Sequence, residues 1–349
     1  MQEILRLQVK IIPELMELLE KRYAILRTVY YNQPIGRRVL ATKLQLGERI
    51  IRTEITFLKE QGLMEINASG MTVTEQGEEL IEKLKDVIND IKGISSLEKA
   101  VKENLGIKRV IVVPGDSQQD PTLIHEIGKV AAAYLKQVIK DNDILAIAGG
   151  TTIKAVVDSL PKTSGYEGIM VVPYRGAMGT KVETQANTLA AVLADKLNGS
   201  YRMLHIPDNA SQEVMDSLIK EKSIKETVDM IHNANVLICG IGNAEHMARK
   251  RGLSEEEILE LKALGAVGEA FGCYYNAKGE AVYFTPALGI RLCDAEKIDS
   301  QIAVAGGSNK ALAILASCKS NKKAVLVTDE AAGKAIIDLI NQSSDVINE

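Results

Sequence analysis

Residues 143–157 read Asp-Ile-Leu-Ala-Ile-Ala-Gly-Gly-Thr-Thr-Ile-Lys-Ala-Val-Val, and no other stretch limits the possible folds as much. Ile144 to Ile147 is a short apolar run suited to a buried strand, and Gly149 and Gly150 end it. Thr151 and Thr152 stand where a helix should begin, with Ile153, Val156 and Val157 as its apolar stripe. A strand that feeds a glycine turn and a helix start presents unbonded backbone N–H groups beside two hydroxyls, a natural seat for a phosphate. A plain strand–helix turn would read the same way, so the rest of the chain has to decide.

The same grammar repeats through residues 106–349. Strands are expected at 108–113, 169–173, 202–206, 236–239, 301–305 and 323–328. Helices are expected at 123–140, 184–197, 219–232, 310–317 and 331–339, with Asn276 to Gly279 as a hairpin turn. Such alternation predicts an α/β domain with a doubly wound, mostly parallel sheet. Ligands of these folds bind outside the carboxyl ends of the strands. Glycine and polar residues recur there: Gly149 to Thr152, Arg175, Gly240 to Gly242, Glu269, Gly306 to Lys310 and Asp329. Arg175 and Lys310 would match negative charge, so a phosphorylated ligand is expected.

Other residues invite weaker readings. Gly240-x-Gly242 lacks the third glycine of a dinucleotide fingerprint. Glu269 suits a helix cap or a sugar hydroxyl, and Asp329 a structural role. His205 and His232 read as structural, and His246 as a rim residue without an evident partner.

The 349 residues suit two or more domains, and 46% apolar with 25% charged residues is a globular balance. No apolar run is long enough to span a bilayer, and the N-terminus lacks the features of a signal peptide. A cytoplasmic location is expected. Cys239, Cys273, Cys293 and Cys318 match no metal spacing and read as reduced, mostly buried thiols. The net charge is −4, unevenly spread: Lys21 to Gln61 holds nine Lys or Arg against three Glu, a net of +6. A basic segment on an acidic body is the pattern of a nucleic-acid-binding head on a regulatory body.

That segment is patterned as well as charged. Helices are expected at 5–20, weakened at Pro13, and at 23–31. A short helix Arg37 to Leu44 follows, with Val39, Leu40 and Leu44 inward. After a tight Gln45-Leu46-Gly47 link comes a helix Glu48 to Gln61, with Ile51, Ile55 and Leu58 on one face. This is a helix-turn-helix. Arg49, Arg52, Thr53 and Thr56 lie off the core face and are types that reach base edges, while Arg37, Arg38 and Lys43 suit the backbone. Strands near 64–66 and 71–74 make a wing, so residues 1–75 are expected to be a winged helix-turn-helix. Residues 76–105 would be a helical connector, with Leu80, Leu84, Val87, Ile88 and Ile91 packing on a dimer partner or on its own domain, and 106–349 the ligand-binding body.

Over essentially its whole length the chain resembles the SorC family of transcriptional regulators. The resemblance is carried by Gln33-Pro34-Ile35-Gly36-Arg37-Arg38, Glu48-Arg49, Phe57 to Gln61 and Gly70-Met71-Thr72 in the head. In the body it is carried by Gly115-Asp116-Ser117, Gly149 to Thr152, Arg175-Gly176, Gly240-Ile241-Gly242, Glu269 to Gly272 and Ala305 to Ser308. It implies a repressor of an operon for triose-phosphate glycolysis, fructose 1,6-bisphosphate as effector, no metal or cofactor, and a homodimer that forms a tetramer on operator DNA. It also implies phosphate contacts at Thr151, Thr152, Arg175 and Lys310 within the loops of Gly149, Gly150, Gly240 and Gly242, and Glu269 near the sugar hydroxyls. Lys250 stands where similar proteins carry arginine; it keeps the charge without the planar fork, and Arg249 and Arg251 are the neighbouring alternatives.

The body also resembles sugar-phosphate isomerases and deaminases, so an enzyme is the rival reading, as is a regulator answering to another phosphorylated sugar. Those deaminases place an acidic base after the strand near Pro173, where Tyr174-Arg175-Gly176 stands here, and a His/Asn/Glu group where Asn243 to His246 stands. Glu269 or Asp329 could serve as a base, but neither has an evident partner. A scaffold protein that binds DNA and no small molecule is the third class.

Overall fold

A computed structural model describes residues 11–345 except 92, 179–180, 208–210, 271, 286–287, 291–296 and 320. The chain divides into two compact units, Met1–Ser96 and Leu97–Glu349.

Ile11 is helical, the chain breaks at Ile12 as Pro13 foretold, and α1 (Pro13–Asn32) then runs unbroken through the expected helix 23–31. Pro13 lies in its first turn, where the missing N–H breaks no helical bond; the expected helical residues 5–10 lie outside the described residues. Helix α2 (Arg37–Leu44) ends at Gln45, which takes a left-handed φ of 52°, and α3 (Glu48–Glu60) follows Gly47. Strands β1 (Met64–Asn67) and β2 (Gly70–Val73) form the wing, and Ile35 adds a backbone bridge to Met71. Leu26, Val29, Leu40, Ile51, Ile55, Leu58 and Met71 fill the core, each contributing about 1.5–3 kcal/mol of burial. Leu40 lies inside as expected, but Val39 is 52% exposed and Ala41 is buried in its place. Helix α4 (Glu75–Ile91) puts Ile81 and Ile88 into this same core, so its stripe packs on its own unit. Gly93, at φ 70°, separates it from α5 (Ile94–Leu105).

The second unit holds a seven-stranded parallel sheet. Its strands are β3 (Arg109–Val113), β4 (Ile144–Ile147), β5 (Met170–Pro173), β6 (Ser200–Tyr201), β7 (Val236–Gly240), β12 (Ser300–Val304) and β13 (Ala324–Asp329), in the order β3-β13-β12-β7-β4-β5-β6. Between them run α6 (Leu123–Val138), α7 (Thr151–Ser159), α8 (Ala186–Lys196), α9 (Gln212–Leu218), α10 (Lys222–His232) and α13 (Ala311–Cys318), with α14 (Glu330–Asp345) last. The near-continuous apolar strands are what a sheet covered on both faces requires. From β4 the chain winds outward through β5 and β6, then returns to β7 on the other side of β4. The direction reverses between β4 and β7, where such folds open their ligand crevice.

Three expectations are corrected. Residues 202–206 are not a strand: beyond β6, the Asn187 side chain holds both backbone groups of Leu204, at 3.0 and 3.1 Å, in place of a neighbouring strand. The expected helix 219–232 is shorter, because α9 stops at Leu218 and α10 begins at Lys222. A second, antiparallel sheet was not foreseen beyond its hairpin. It comprises β8 (Gly242–Asn243), β9 (Ala266–Ala270), β10 (Cys273–Asn276) and β11 (Ala281–Phe284), in the order β11-β10-β9-β8, and α11 (Ala244–Arg251) and α12 (Glu255–Ala263) join β8 to β9. Cys239, Cys273 and Cys318 are buried free thiols; Cys293 lies outside the described residues. Among the described residues no helix is long and apolar enough to cross a membrane.

Candidate functional site

In the first unit the predicted reading residues share one surface. Arg49, Arg52, Thr53 and Thr56 on α3 are exposed, as are Arg37 and Arg38 on α2. Arg52, Thr53 and Thr56 line a shallow concavity with Phe57 and Glu60. Thr53 Oγ1 donates to the carbonyl of Arg49 (3.1 Å) and Thr56 Oγ1 to that of Arg52 (2.9 Å). Their hydroxyl protons are thus committed to the helix, which leaves the oxygens as acceptors. Arg38 makes only a loose pair with Glu48 (3.7 Å). Lys43 is half-buried rather than open.

In the second unit the strand order sets the predicted ligand loops side by side. The loops after β12, β7, β4 and β5 carry Gly306 to Lys310, Gly240 to Gly242, Gly149 to Thr152, and Arg175, and these four strands are neighbours. Gly150 caps α7 with φ 120°, a conformation glycine supplies freely, and no side chain caps the helix. The first-turn N–H groups are thus left for a ligand beside exposed Thr151 and half-buried Thr152. A side chain at Gly149 would stand 2.7 Å from the Thr184 carbonyl. Lys310 closes the loop after β12 and is half-buried. Burial holds its ammonium below the usual lysine range, opposed by Asp329 and reinforced by Lys250.

Arg175 sits differently. It is 3% exposed and passes over Gly272, where any side chain would strike its guanidinium; a side chain at Gly289 would lie 2.9 Å from its Cγ. Burial lowers its pKa, as does Arg251, while Tyr174 and Glu269 oppose the shift. Glu269 lies within β9, not at a helix end, and Gly242 pairs with it across to β8. Its Oε1 accepts from Arg251 Nη2 at 2.7 Å and from Gly272 N at 3.0 Å. Both ends of the Arg251–Glu269 pair are buried. Burial works against the Arg251 charge, but Glu269 more than offsets it and raises that pKa.

The supposed catalytic bases both have partners. Asp329 is fully buried. Its Oδ2 accepts from Ser117 N (2.9 Å), Ser117 Oγ (2.5 Å) and Gly307 N (2.7 Å), and its Oδ1 from Ala332 N (2.9 Å). It fastens the loops after β3 and β12 to the start of α14. Gln118 adds to this fastening, accepting from Ser308 Oγ and Asn309 N. His232 Nε2 meets the Gly289 carbonyl at 3.2 Å, and Arg249 is taken by Glu245 and Glu255. Sequence reasoning missed Arg251 as the partner of Glu269, and the Ser117–Asp329 fastening. Only the recurrence of polar residues at strand ends hinted at the second.

Residues 18–88 match the family described as "CggR N-terminal DNA binding domain", and residues 89–338 the one described as "Putative sugar-binding domain". The chain is 42% identical to the central glycolytic genes regulator of Bacillus subtilis, over 97% of this chain and 99% of that one. The crystal structure of a SorC family transcriptional regulator from Enterococcus faecalis is 36% identical, with a TM-score of 0.65, covering 69% of this chain and 99% of that one. The full-length sorbitol operon regulator of Klebsiella pneumoniae, 19% identical with a TM-score of 0.67 over 92% of this chain and 98% of that one, shares the fold. The relatives are transcriptional regulators, which removes the enzyme reading. The chain belongs to the SorC family of transcriptional regulators, joining a CggR-type DNA-binding unit to a sugar-binding unit.

Proposed function

We propose that this protein is a cytoplasmic repressor of central glycolytic genes, released from its operator by fructose 1,6-bisphosphate. The observation that supports the reading is that the strand order sets the loop with the uncapped start of α7, Thr151 and Thr152 near the loop with the cation Lys310, at the β4–β7 reversal. The name of the Bacillus subtilis relative supports the choice of genes. Lys310 and Lys250 feel one another's charge at one locus, and Arg175 and Arg251 at a second. Two pairs of cations suit a sugar with two phosphates better than one with a single phosphate. Thr151, Thr152, Lys250 and Lys310 take the first phosphate. Gly149, Gly150, Gly240 and Gly242 keep the loop backbones close to it. Arg175, backed by Arg251, sets the charge at the second, and Glu269 orients the cations beside the sugar hydroxyls.

Binding releases DNA only to the extent that the sugar prefers one state of the body over another. Drawing the two phosphate loci together biases how bodies meet in a dimer and in a tetramer on DNA, and so the spacing of the paired reading helices. Arg49, Arg52, Thr53 and Thr56 read base edges, and Arg37, Arg38 and Lys43 hold the backbone.

The test is release of an operator duplex from the full chain, titrated with fructose 1,6-bisphosphate and with singly phosphorylated hexoses. Release by the bisphosphate at the lowest concentration is expected, with Thr152→Ala or Arg175→Ala binding DNA normally but blunting release. A monophosphate that acts at lower concentration would transfer the role to another sugar. Normal release in both variants would dismiss the site.

A further inference from the structure

The apolar face of α3, formed by Ile51, Ile55 and Leu58, holds the helix against the first unit's core. Apolar packing is non-directional, so it fixes the depth of a helix better than its roll. Roll is what aims Arg49, Arg52, Thr53 and Thr56. One polar side chain interrupts the buried face: Glu54, 6% exposed. Both its carboxylate oxygens are held by α1. Lys21 Nζ stands 2.9 Å from Oε1, and Arg22 Nε 2.9 Å from Oε2. The Arg22 guanidinium also lies over the Phe57 ring, 3.6 Å from its centroid. Phe57 follows Glu54 by three residues on α3 and lines the concavity with Arg52, Thr53 and Thr56. Two charge-assisted bonds and one stacked ring thus grip α3 along the border between its buried and exposed faces.

Such contacts are directional. Burying the carboxylate costs most of what its cations return, so the clamp adds little net stability, and orientation is the benefit it leaves. We infer that Glu54, held by Lys21 and Arg22 of α1, is a positioning residue that sets the roll of the reading helix and thereby the discrimination between operator and other DNA. The inference rests on α3 being the reading helix.

Discrimination is measured with the full-length protein at fixed salt, using anisotropy on an operator duplex and on a scrambled duplex of equal length and composition. Glu54→Gln keeps the shape and removes the charge. It should weaken operator binding about tenfold, as misaimed base contacts do, and leave scrambled-duplex binding within about twofold, since phosphate attraction survives a change of roll. Arg22→Lys keeps the charge but loses the stack on Phe57, and should give a smaller loss of the same kind. If Glu54→Gln loses both duplexes together, the first unit has unfolded and Arg22→Lys decides. An unchanged ratio of the two affinities in Arg22→Lys, or in a folded Glu54→Gln protein, would overturn the inference. Arg52→Ala in the same titration separates the two ideas: if it spares operator binding, α3 is not the reader; if it weakens the operator while the clamp variants do not, only the clamp is refuted.

Discussion

The two units handle positive charge in opposite ways. On the first, Arg37, Arg38, Arg49 and Arg52 stand exposed on short helices, with few partners among the described residues. On the second, Arg175 and Arg251 are buried beside a carboxylate, and Lys310 is half-buried with a lowered pKa. The difference follows from the proposed ligands. A DNA backbone is a line of charges that stays hydrated, so exposed cations attract it and its counterions are released on binding. A small anion gives few contacts, and each has to be strengthened by excluding water. Exposed cations add almost nothing to folding, whereas buried ones must be paired to be tolerated.

The contrast can be broken at several points. The largest effect belongs to Arg251→Ala, which strands the Glu269 carboxylate in the interior and should destabilise the second unit by about 3–5 kcal/mol, read by thermal unfolding. A loss no larger than that of an exposed arginine would mean that water reaches the pair. Next is Arg52→Ala, expected to weaken operator binding by about 1–3 kcal/mol and to relax base preference at one position, with unfolding unchanged. Unaltered preference in a binding-site selection would count Arg52 among the backbone contacts.

Lys310 gives a smaller effect with a pH signature. Its folded pKa is lowered, and only the ammonium form attracts phosphate. Above the second phosphate pKa of about 6, affinity for the bisphosphate should therefore fall as pH rises through that lowered pKa, earlier than an ordinary lysine would allow. Calorimetry should show this fall in the parent protein and not in Lys310→Arg, whose charge persists. Lys310→Ala should weaken sugar binding by about tenfold without altering sugar-free operator binding. The smallest effect is that of Arg38→Ala, which should leave stability unchanged and reduce the slope of log affinity against log salt by about 0.9, the value of one phosphate contact. An unchanged slope would place Arg38 off the DNA.

Much of the architecture was legible because its signals are local. The alternation of apolar runs and glycine turns foretold the parallel sheet, and the Ile51, Ile55, Leu58 spacing foretold the inner face of α3. Errors fell where a distant side chain overrode the local pattern. Leu204 and Ile206 looked like strand residues and are buried, yet Asn187 holds the Leu204 backbone. Val39 has a core residue's chemistry, but the short α2 turns Leu40 and Ala41 inward. The four-stranded sheet was missed because β8 has two residues and no apolar run.

By itself the sequence determined most of the elements, the loops that carry Gly149 to Thr152, Arg175 and Lys310, and the exposed face of α3, since each depends on neighbours within a few turns of chain. The tertiary structure alone decided which charges meet. Arg251 finds Glu269 across 18 residues, Arg22 finds Glu54 across 32, and Ser117 finds Asp329 across 212. Charged pairs buried in a low dielectric are set by the packing of whole elements, and no periodicity along the chain records them.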